Sequence, residues 1–443
     1  MKQRNIILIL ILFFVIQFAR TGYSAEPLGK RIPLENGMVL LLAEKHDIPV
    51  VTMNMAIKAG STSVPADEPG LASITASLLA QGTTKRTASQ ISREIDFIGG
   101  SLSASGGNDF ASASLRVLTR DIRKGLDLFS DVLMHPVFDQ QEIDRKIKET
   151  LAEIQRQKEE PGVVADEAFD KAVFGGNAYG RTSDDVAAYL PKLTRQDITR
   201  FYSSRYVPNN AIIAVVGDVS EKEIVPLLNE YFKSWKKKDL PLPASVPPPV
   251  IEKTFVKKID KKVTQANIAM GHIGISRENP DYYAVSVMNY ILGSGGFTSR
   301  LMDNIRDNRG LAYDVRSSFA AQKEPGSFMV TIQTKNESAN AVIAETLKEI
   351  RRIRTEPVSE KELNDAKAYL TGSFPLKMDT SAKIAGMLTS IEIFNLGLDY
   401  PSKYPNVINA VTREDIQRVA VKYLHPDAMA IVVVADQEKA KLK

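Results

Sequence analysis

The sequence contains no cysteine among its 443 residues. The protein therefore has no disulfides, no thiolate nucleophile and no thiolate metal ligand, and it cannot be anchored through a lipidated cysteine. A chain that needs no disulfide is compatible with either redox environment. The composition therefore allows export to an oxidising compartment such as the periplasm.

Long hydrophobic runs are absent after the N-terminal segment. That segment combines Lys2 and Arg4 with an apolar run over residues 6–18 and then small or polar residues, which is the pattern of a secretory signal peptide. The run is short for a bilayer-spanning helix. We predict a signal peptide over residues 1–24, cleaved after Ser24, and a periplasmic protein without stable membrane insertion. An uncleaved membrane anchor is the alternative.

Neither sign of charge dominates, because 57 Lys and Arg are balanced by 53 Asp and Glu. Residues 1–24 hold three of the cations and no anion, so their removal leaves 54 cations against 53 anions. A balanced surface produces no strong field that attracts a polyanion. We therefore expect no nucleic-acid partner.

Histidine is scarce, and the sequence lacks several catalytic motifs. His46, His135, His272 and His425 are far apart, so we expect surface or strand-end positions and no zinc site formed by them. There is no G-x-S-x-G elbow, Walker loop or dinucleotide fingerprint. The glycine run at residues 293–296 follows a predicted helix, and we interpret it as the turn that ends that helix.

Length and one proline-rich segment indicate two domains. A chain of 443 residues suits two domains of about 200 residues. Residues 236–250 (KKKDLPLPASVPPPV) contain five prolines and no periodicity, which is typical of an extended linker. We predict an N-terminal lobe over residues 25–235, a linker over 236–252 and a C-terminal lobe over 253–443.

An internal repeat relates the two halves. LTRQDITRFYSSRYVPNNAIIAVVGD at residues 193–218 corresponds to VTREDIQRVAVKYLHPDAMAIVVVAD at 411–436. Each copy predicts a helix with threonine at its N-cap, a turn at proline and a buried apolar strand. The matching positions share one offset of 218 residues (412 minus 194): Thr194 and Thr412, Asp197 and Asp415, Ile198 and Ile416, Arg200 and Arg418.

Strand and helix patterns alternate in both halves, which predicts the fold class. We expect an α+β fold of two homologous lobes, each a mixed β-sheet covered by helices, joined by the linker as a clamshell. The predicted strands lie at residues 38–42, 50–58, 101–118 (a pair) and 267–275, and the predicted helices at 70–81, 87–98, 139–158, 280–292 and 359–373.

One helical segment carries a family resemblance. Residues 69–83 read PGLASITASLLAQGT, which resembles the signature helix of the pitrilysin/insulinase peptidases, the inverzincins. In that family two histidines of H-x-x-E-H bind zinc and the glutamate is the general base. The corresponding positions here are Ser73, Ala76 and Ser77. The resemblance implies the two-subunit bacterial type, in the member that lacks the zinc motif, with no metal in this chain.

The family's third zinc ligand corresponds to Glu153 of this chain. A second family glutamate, one helical repeat earlier, aligns with Lys146. A single carboxylate does not hold Zn²⁺. We therefore interpret Glu153 as a solvated residue on an exposed helix face, and the alternative is a remnant of the zinc site.

Residues 299–313 resemble the second-lobe motif of the same family, R-x6-Y, and Arg306 and Tyr313 match its spacing. The resemblance implies that these two side chains hold the substrate backbone and the developing oxyanion, opposite the zinc. A fixed cation and a phenolic donor can stabilise that charge. The alternative is a surface ion pair of Arg306 and packing of Tyr313 on a strand.

Extended peptides add to exposed sheet edges as an extra strand. We expect one such edge at residues 99–110, with Ser103 and Ala104 as substrate contacts, and another at 265–275. The resemblance places asparagine near Ser103, so serine there is expected to change how this edge binds.

Together these features imply the non-catalytic, substrate-binding subunit of a periplasmic zinc metallopeptidase heterodimer. A homologous H-x-x-E-H subunit would supply zinc and the general base, while this chain would supply Arg306 and Tyr313 in trans. Peptides or unfolded polypeptides would be the substrate. Two other functions remain open, namely a scaffold subunit without a role in catalysis and a stand-alone peptide-binding protein.

Overall fold

A computed structural model describes residues 27–240 and 246–442 of the chain. The predicted signal peptide lies outside the described residues. Within these two ranges, no helix is both long enough and apolar enough to cross a bilayer. Residues 246–250 of the predicted linker have no regular secondary structure.

The first half forms a six-stranded mixed sheet. Its strands are β1 (Lys30–Pro33), β2 (Val39–Glu44), β3 (Val50–Ile57), β4 (Ser101–Gly106), β5 (Ala111–Leu118) and β6 (Ala211–Gly217). They lie in the order β1-β2-β6-β3-β5-β4, with only the β2/β6 pair parallel. All seven residues of β6 are buried, as its unbroken apolar run predicts for a strand covered on both faces.

The second half forms a five-stranded sheet with the same topology. Its strands are β7 (Phe255–Asp260), β8 (Gln265–Ile273), β9 (Ala312–Phe319), β10 (Ser327–Lys335) and β11 (Ala430–Ala435). The order is β7-β11-β8-β10-β9, with β7 parallel to β11 and the other pairs antiparallel. This matches β2-β6-β3-β5-β4 strand for strand. The predicted fold class, with two homologous halves that each contain a mixed sheet, is confirmed.

Several of the eight α-helices described in the first half begin at a residue whose short polar side chain caps them. The eight helices are α1 (Leu71–Leu78), α2 (Ala88–Phe97), α3 (Ile122–Met134), α4 (Gln140–Gln157), α5 (Pro161–Phe174), α6 (Ser183–Tyr189), α7 (Arg195–Arg205) and α8 (Glu221–Tyr231). Thr87 and Thr194 close capping boxes at α2 and α7, which satisfies backbone N–H groups that the first turn leaves free.

The helices of the second half continue the repeat. They are α9 (Tyr282–Asn289), α10 (Ala339–Thr355), α11 (Glu360–Gly372), α12 (Ser381–Ile393), α13 (Tyr400–Ala410), α14 (Arg413–Tyr423) and α15 (Gln437–Ala440). Thr412 caps α14 with Asp415, just as Thr194 caps α7 with Asp197. The sequence repeat is therefore a repeat of one helix-turn-strand unit.

The two halves exchange a helix. Helix α5, from the first half, packs on β8 and β11 of the second sheet, where Phe169 and Val173 meet Val432. Helix α12, from the second half, packs on β3 and β6 of the first sheet, where Leu388 meets Ala214. Each sheet thus has one face covered by a helix from the other half. The halves are joined by two apolar interfaces as well as by the proline-rich segment.

One of the four histidines, His272, lies near a strand end, as expected, but it is buried. His272 lies one residue before the end of β8 and is only 4% exposed. Its Nδ1 lies 2.8 Å from the Ile273 carbonyl oxygen, and its Nε2 accepts the backbone N–H of His425 at 3.0 Å. Burial lowers the pKa of His272 to about 4. The ring is therefore neutral at pH 7 and contributes to packing and hydrogen bonding.

Acidification is expected to destabilise the protein through His272. The unfolded chain protonates this ring near pH 6.5 and the folded chain only near pH 4, so stability is lost as the pH falls through that window. The difference corresponds to roughly 3 kcal/mol at pH 4. Urea denaturation at pH 7 and pH 4 should show a smaller loss in His272→Phe than in the wild type.

His46, whose pKa is shifted in the opposite direction to that of His272, provides the control. A hydrogen bond to Asp218 raises the pKa of the exposed His46, so His46 stabilises the fold when it is protonated. The loss of folding stability between pH 7 and pH 4 should therefore be no smaller in His46→Gln than in the wild type. An equal reduction of the loss in both variants would contradict the assignment to His272.

Candidate functional site

Helix α1 keeps its buried face but has no metal donors. Leu71, Ile74 and Leu78 are buried against the core. Of the three positions that correspond to H-x-x-E-H, Ser73 is exposed, Ala76 is 0% exposed and Ser77 donates its hydroxyl to the Ile74 carbonyl at 2.8 Å. Across the described residues, no group of three or more His, Cys, Asp or Glu side chains could hold a metal ion. These residues do not fit zinc.

Glu153 lies on α4 and interacts with its own helix. Its carboxylate accepts hydrogen bonds from Arg156 at 2.5 Å and from Gln157 at 2.8 Å, and its side chain is 46% exposed. The hydrogen bonds from Arg156 and Gln157 lower the pKa of Glu153. This arrangement favours the interpretation of Glu153 as a residue of a solvated helix face. Lys146 on the same helix lies 3.7 Å from Glu149.

Strand β4 lies against α1 and forms one edge of the first sheet. A Cβ at Gly106 would lie 2.6 Å from the Ser73 Cα, so only glycine allows the strand to approach the helix so closely. Ser103 is exposed, with its hydroxyl 2.8 Å from that of Ser114 on β5. Ala104 is half-buried and pairs with Ala113. The expectation that residues 99–110 contain an edge strand is confirmed.

The expected edge at residues 265–275 is wrong. Strand β8 lies between β11 and β10, and the edge next to β10 is β9. Ala266, Ile268 and Met270 of β8 are buried, as in a central strand. The error arose because β11 joins the sheet from 165 residues downstream (430 minus 265), and a local sequence pattern does not reveal such a pairing.

Arg306 and Tyr313 lie together at the β9 edge with a third side chain, Phe297. The Arg306 guanidinium carbon lies 4.7 Å from the Phe297 ring centroid and 5.6 Å from that of Tyr313. Phe297 is 66% exposed and Tyr313 is 70% exposed. No carboxylate in residues 27–240 or 246–442 forms an ion pair with Arg306. We call Phe297, Arg306 and Tyr313 the aromatic–cation cluster.

Buried polar contacts fix the elements that carry this cluster. Arg300 donates to Glu362 of α11 at 2.6 Å and 3.1 Å, and Asn304 donates to Glu349 of α10 at 2.9 Å. On the other side, the Ser317 hydroxyl of β9 donates to the Asn289 side chain of α9 at 2.7 Å. Both ends of the R-x6-Y segment are therefore attached to the core.

Two π-helical segments flank the Phe297 loop, at Tyr290–Ser294 and Met302–Asn308. π-Helical segments are rare in proteins, and those that occur are often found at functional sites. The turn between them passes through Gly296, whose φ of +59° favours glycine. The glycine run ends a helical segment, as predicted, whereas no sequence motif pointed to Phe297. The available signal was a bulky aromatic residue directly after four small residues.

Comparisons with known proteins agree with these features. Residues 39–184 match a family model described as Insulinase (Peptidase family M16), and residues 192–370 match one described as Peptidase M16 inactive domain. An uncharacterized zinc protease of Streptomyces coelicolor is 28% identical over 376 residues, which cover 82% of this chain and 81% of the relative.

Solved structures show the same fold. A peptidase M16 inactive domain from Pseudomonas fluorescens has a TM-score of 0.85 and 29% identity, and the match covers 92% of this chain and 98% of that one. A protease from Helicobacter pylori also has a TM-score of 0.85, at 21% identity, with 92% of this chain and 100% of that chain covered. The likeness extends over both halves.

Proposed function

Because the chain belongs to the insulinase (M16) peptidase family while its helix α1 holds no zinc ligands, we propose that it is the non-catalytic subunit of a zinc peptidase heterodimer. The partner would be a homologue with an intact H-x-x-E-H helix, which supplies Zn²⁺ and the general base. This chain would supply Arg306 and Tyr313 in trans. The proposed location is the periplasm.

The aromatic–cation cluster is the observation that carries this proposal. Phe297 and Tyr313 expose most of their rings beside a cation that no described carboxylate neutralises. Exposed aromatic residues and arginine are enriched where proteins bind partners. A purely structural role for this segment would not require these three side chains to remain at the surface.

The cluster suits a peptide undergoing hydrolysis. The Arg306 guanidinium has several donors for substrate carbonyl oxygens, and the Tyr313 hydroxyl can donate to an oxygen that becomes negative in the tetrahedral intermediate. Strand β9 pairs only with β10 among the described strands. Its outer backbone groups are thus available to an extended peptide.

The isolated protein is expected to contain far less than one zinc ion per chain and to cleave no peptide. The reason is the loss of three of the four motif positions, together with the engagement of Glu153 by Arg156 and Gln157. Mass spectrometry of the metal content after dialysis against zinc, with a quenched unstructured peptide as substrate, tests both points. One tightly held zinc ion in the wild type would refute the proposal.

A gain-of-ligand variant provides the matched control. Ser73→His with Ser77→His places two imidazoles one helical turn apart on α1, which is ligand spacing. With Glu153 as the third ligand, this variant should bind zinc stoichiometrically, and adding Glu153→Gln should weaken that binding. Ala76 is left unchanged because its position is fully buried.

A further inference from the structure

A cavity of about 610 Å³ lies where both halves and the linker meet. Its walls come from the loop after β3, from helix α7 and from the loop after α5, with Val246 of the linker and Lys323 of the β9–β10 loop at its margins. The side-chain amide of Asn177 donates to the Val246 carbonyl at 2.5 Å. That hydrogen bond holds the linker against the cavity.

Most charges that line this cavity already have partners. Arg200 pairs with Glu68, Lys323 pairs with Glu278 at 2.5 Å, and Asp109 accepts the Tyr179 hydroxyl at 2.8 Å. These side chains therefore already have hydrogen-bond or ion-pair partners within the protein.

Arg181 differs from these residues because one of its buried donors has no partner. Its Nη1 donates to the Ser61 carbonyl at 2.6 Å, and its Nη2 donates to the carbonyls of Val64 and Pro65 at 2.8 Å and 2.9 Å. Its Nε–H is buried and has no acceptor, and no described carboxylate forms an ion pair with it. Burial lowers the pKa of Arg181. A buried donor of this kind normally has a partner, such as an ion or a ligand.

A second buried arginine lines the same cavity. Arg205 of α7 is 8% exposed and lines the cavity, and burial lowers its pKa as well. A guanidinium group removed from water, such as that of Arg181, favours an anionic partner. The rest of the wall is mainly apolar and includes Val64, Pro65 and Phe201.

We propose that this cavity binds a small apolar carboxylic acid, with its carboxylate at Arg181 and its apolar part against Pro65, Phe201 and Val246. The volume is in the range of small-molecule sites. The C-terminus of a short peptide and a medium-chain fatty acid share this chemistry. Since the walls belong to both halves and to the linker, the ligand also stabilises their junction by mass action. The proposal does not depend on the peptidase partner.

Calorimetric titration of the full chain shows whether binding depends on the charge of the ligand's carboxylate or only on the shape of the ligand. N-acetylphenylalanine and N-acetylphenylalaninamide differ only in the carboxylate, and octanoate represents the fatty acid. Both acids should bind and raise the melting temperature, and the amide should bind at least about tenfold more weakly, as expected for the loss of a charge-assisted hydrogen bond. Preference for one acid identifies the source of the ligand, and either preference supports the site.

Arg181→Gln removes the proposed carboxylate contact, but it also removes hydrogen bonds to three backbone carbonyls and can cause misfolding. Two further variants test the site without changing Arg181. Ser204→Leu fills the cavity from α7 without altering charge and should lower acid binding at least about tenfold, because the occupied volume excludes the ligand. Arg120→Gln removes an arginine that is 81% exposed and should not change binding. Equal binding of acid and amide, normal binding by Ser204→Leu, or no saturable acid binding up to about 10 mM would overturn the proposal.

Discussion

Replacing Arg306 with alanine and Tyr313 with phenylalanine is expected to lower turnover by the complex with an H-x-x-E-H homologue by about 10²-fold or more. Removal of one oxyanion donor alone has costs of that order in other hydrolases. The measurement is cleavage of a quenched unstructured peptide by the homologue alone, with this chain, and with the double variant. Activity should appear only when the wild-type chain is added.

The controls separate catalysis from assembly. Complex formation by the double variant should be unchanged when measured by analytical ultracentrifugation. Arg316→Ala removes another arginine from β9, one that is 67% exposed and bonded to Asp314 at 2.9 Å, and should retain activity. If the double variant activates the homologue as well as the wild type does, the chain is a scaffold and the roles proposed for Arg306 and Tyr313 are wrong.

Replacing Phe169 with alanine is expected to lower the free energy of unfolding by about 3–5 kcal/mol, the usual range for a phenylalanine lost from a core. Phe169 is 0% exposed and lies on exchanged helix α5, against Val432 and Val434 of the second sheet. The loss should appear as a lower urea midpoint of unfolding. Spectroscopic probes of unfolding placed in either half should both report the lower midpoint, because α5 belongs to the first half and packs on the sheet of the second half.

Phe97 provides the comparison for this prediction. It ends helix α2 of the same half and is 90% exposed, so Phe97→Ala should change stability by no more than about 0.5 kcal/mol. A similar midpoint shift in both variants would mean that the α5 interface contributes little to stability.

Local patterns predicted the elements of this fold well. The spacing of Leu71, Ile74 and Leu78 identified α1, and the repeated threonine caps at Thr194 and Thr412 identified α7 and α14. These signals depend on neighbours within one or two helical turns. The sequence therefore carries them without reference to the rest of the chain.

Long-range arrangement was less accessible from the sequence. Nothing in the local sequence of α5 indicates that its buried residues pack on the sheet of the other half. The same limit explains the misplaced edge at β8 and the missed cavity at Arg181, whose lining residues come from several distant segments of the chain. Family resemblance identified Arg306 and Tyr313, whereas the place of Phe297 beside them depends on how the loop after the glycine run folds.

The exchanged helices also constrain the order in which the chain can fold. Arg31 and Glu392, which form a bidentate contact between the halves, are 361 residues apart. During synthesis the β3–β6 face of the first sheet stays bare until α12 has left the ribosome, and α5 is complete long before β11 exists. Contacts of such high sequence separation slow folding and leave apolar surface exposed in the meantime. We therefore expect each half, expressed separately, to aggregate, and the intact chain to depend on chaperones until its last strand is made.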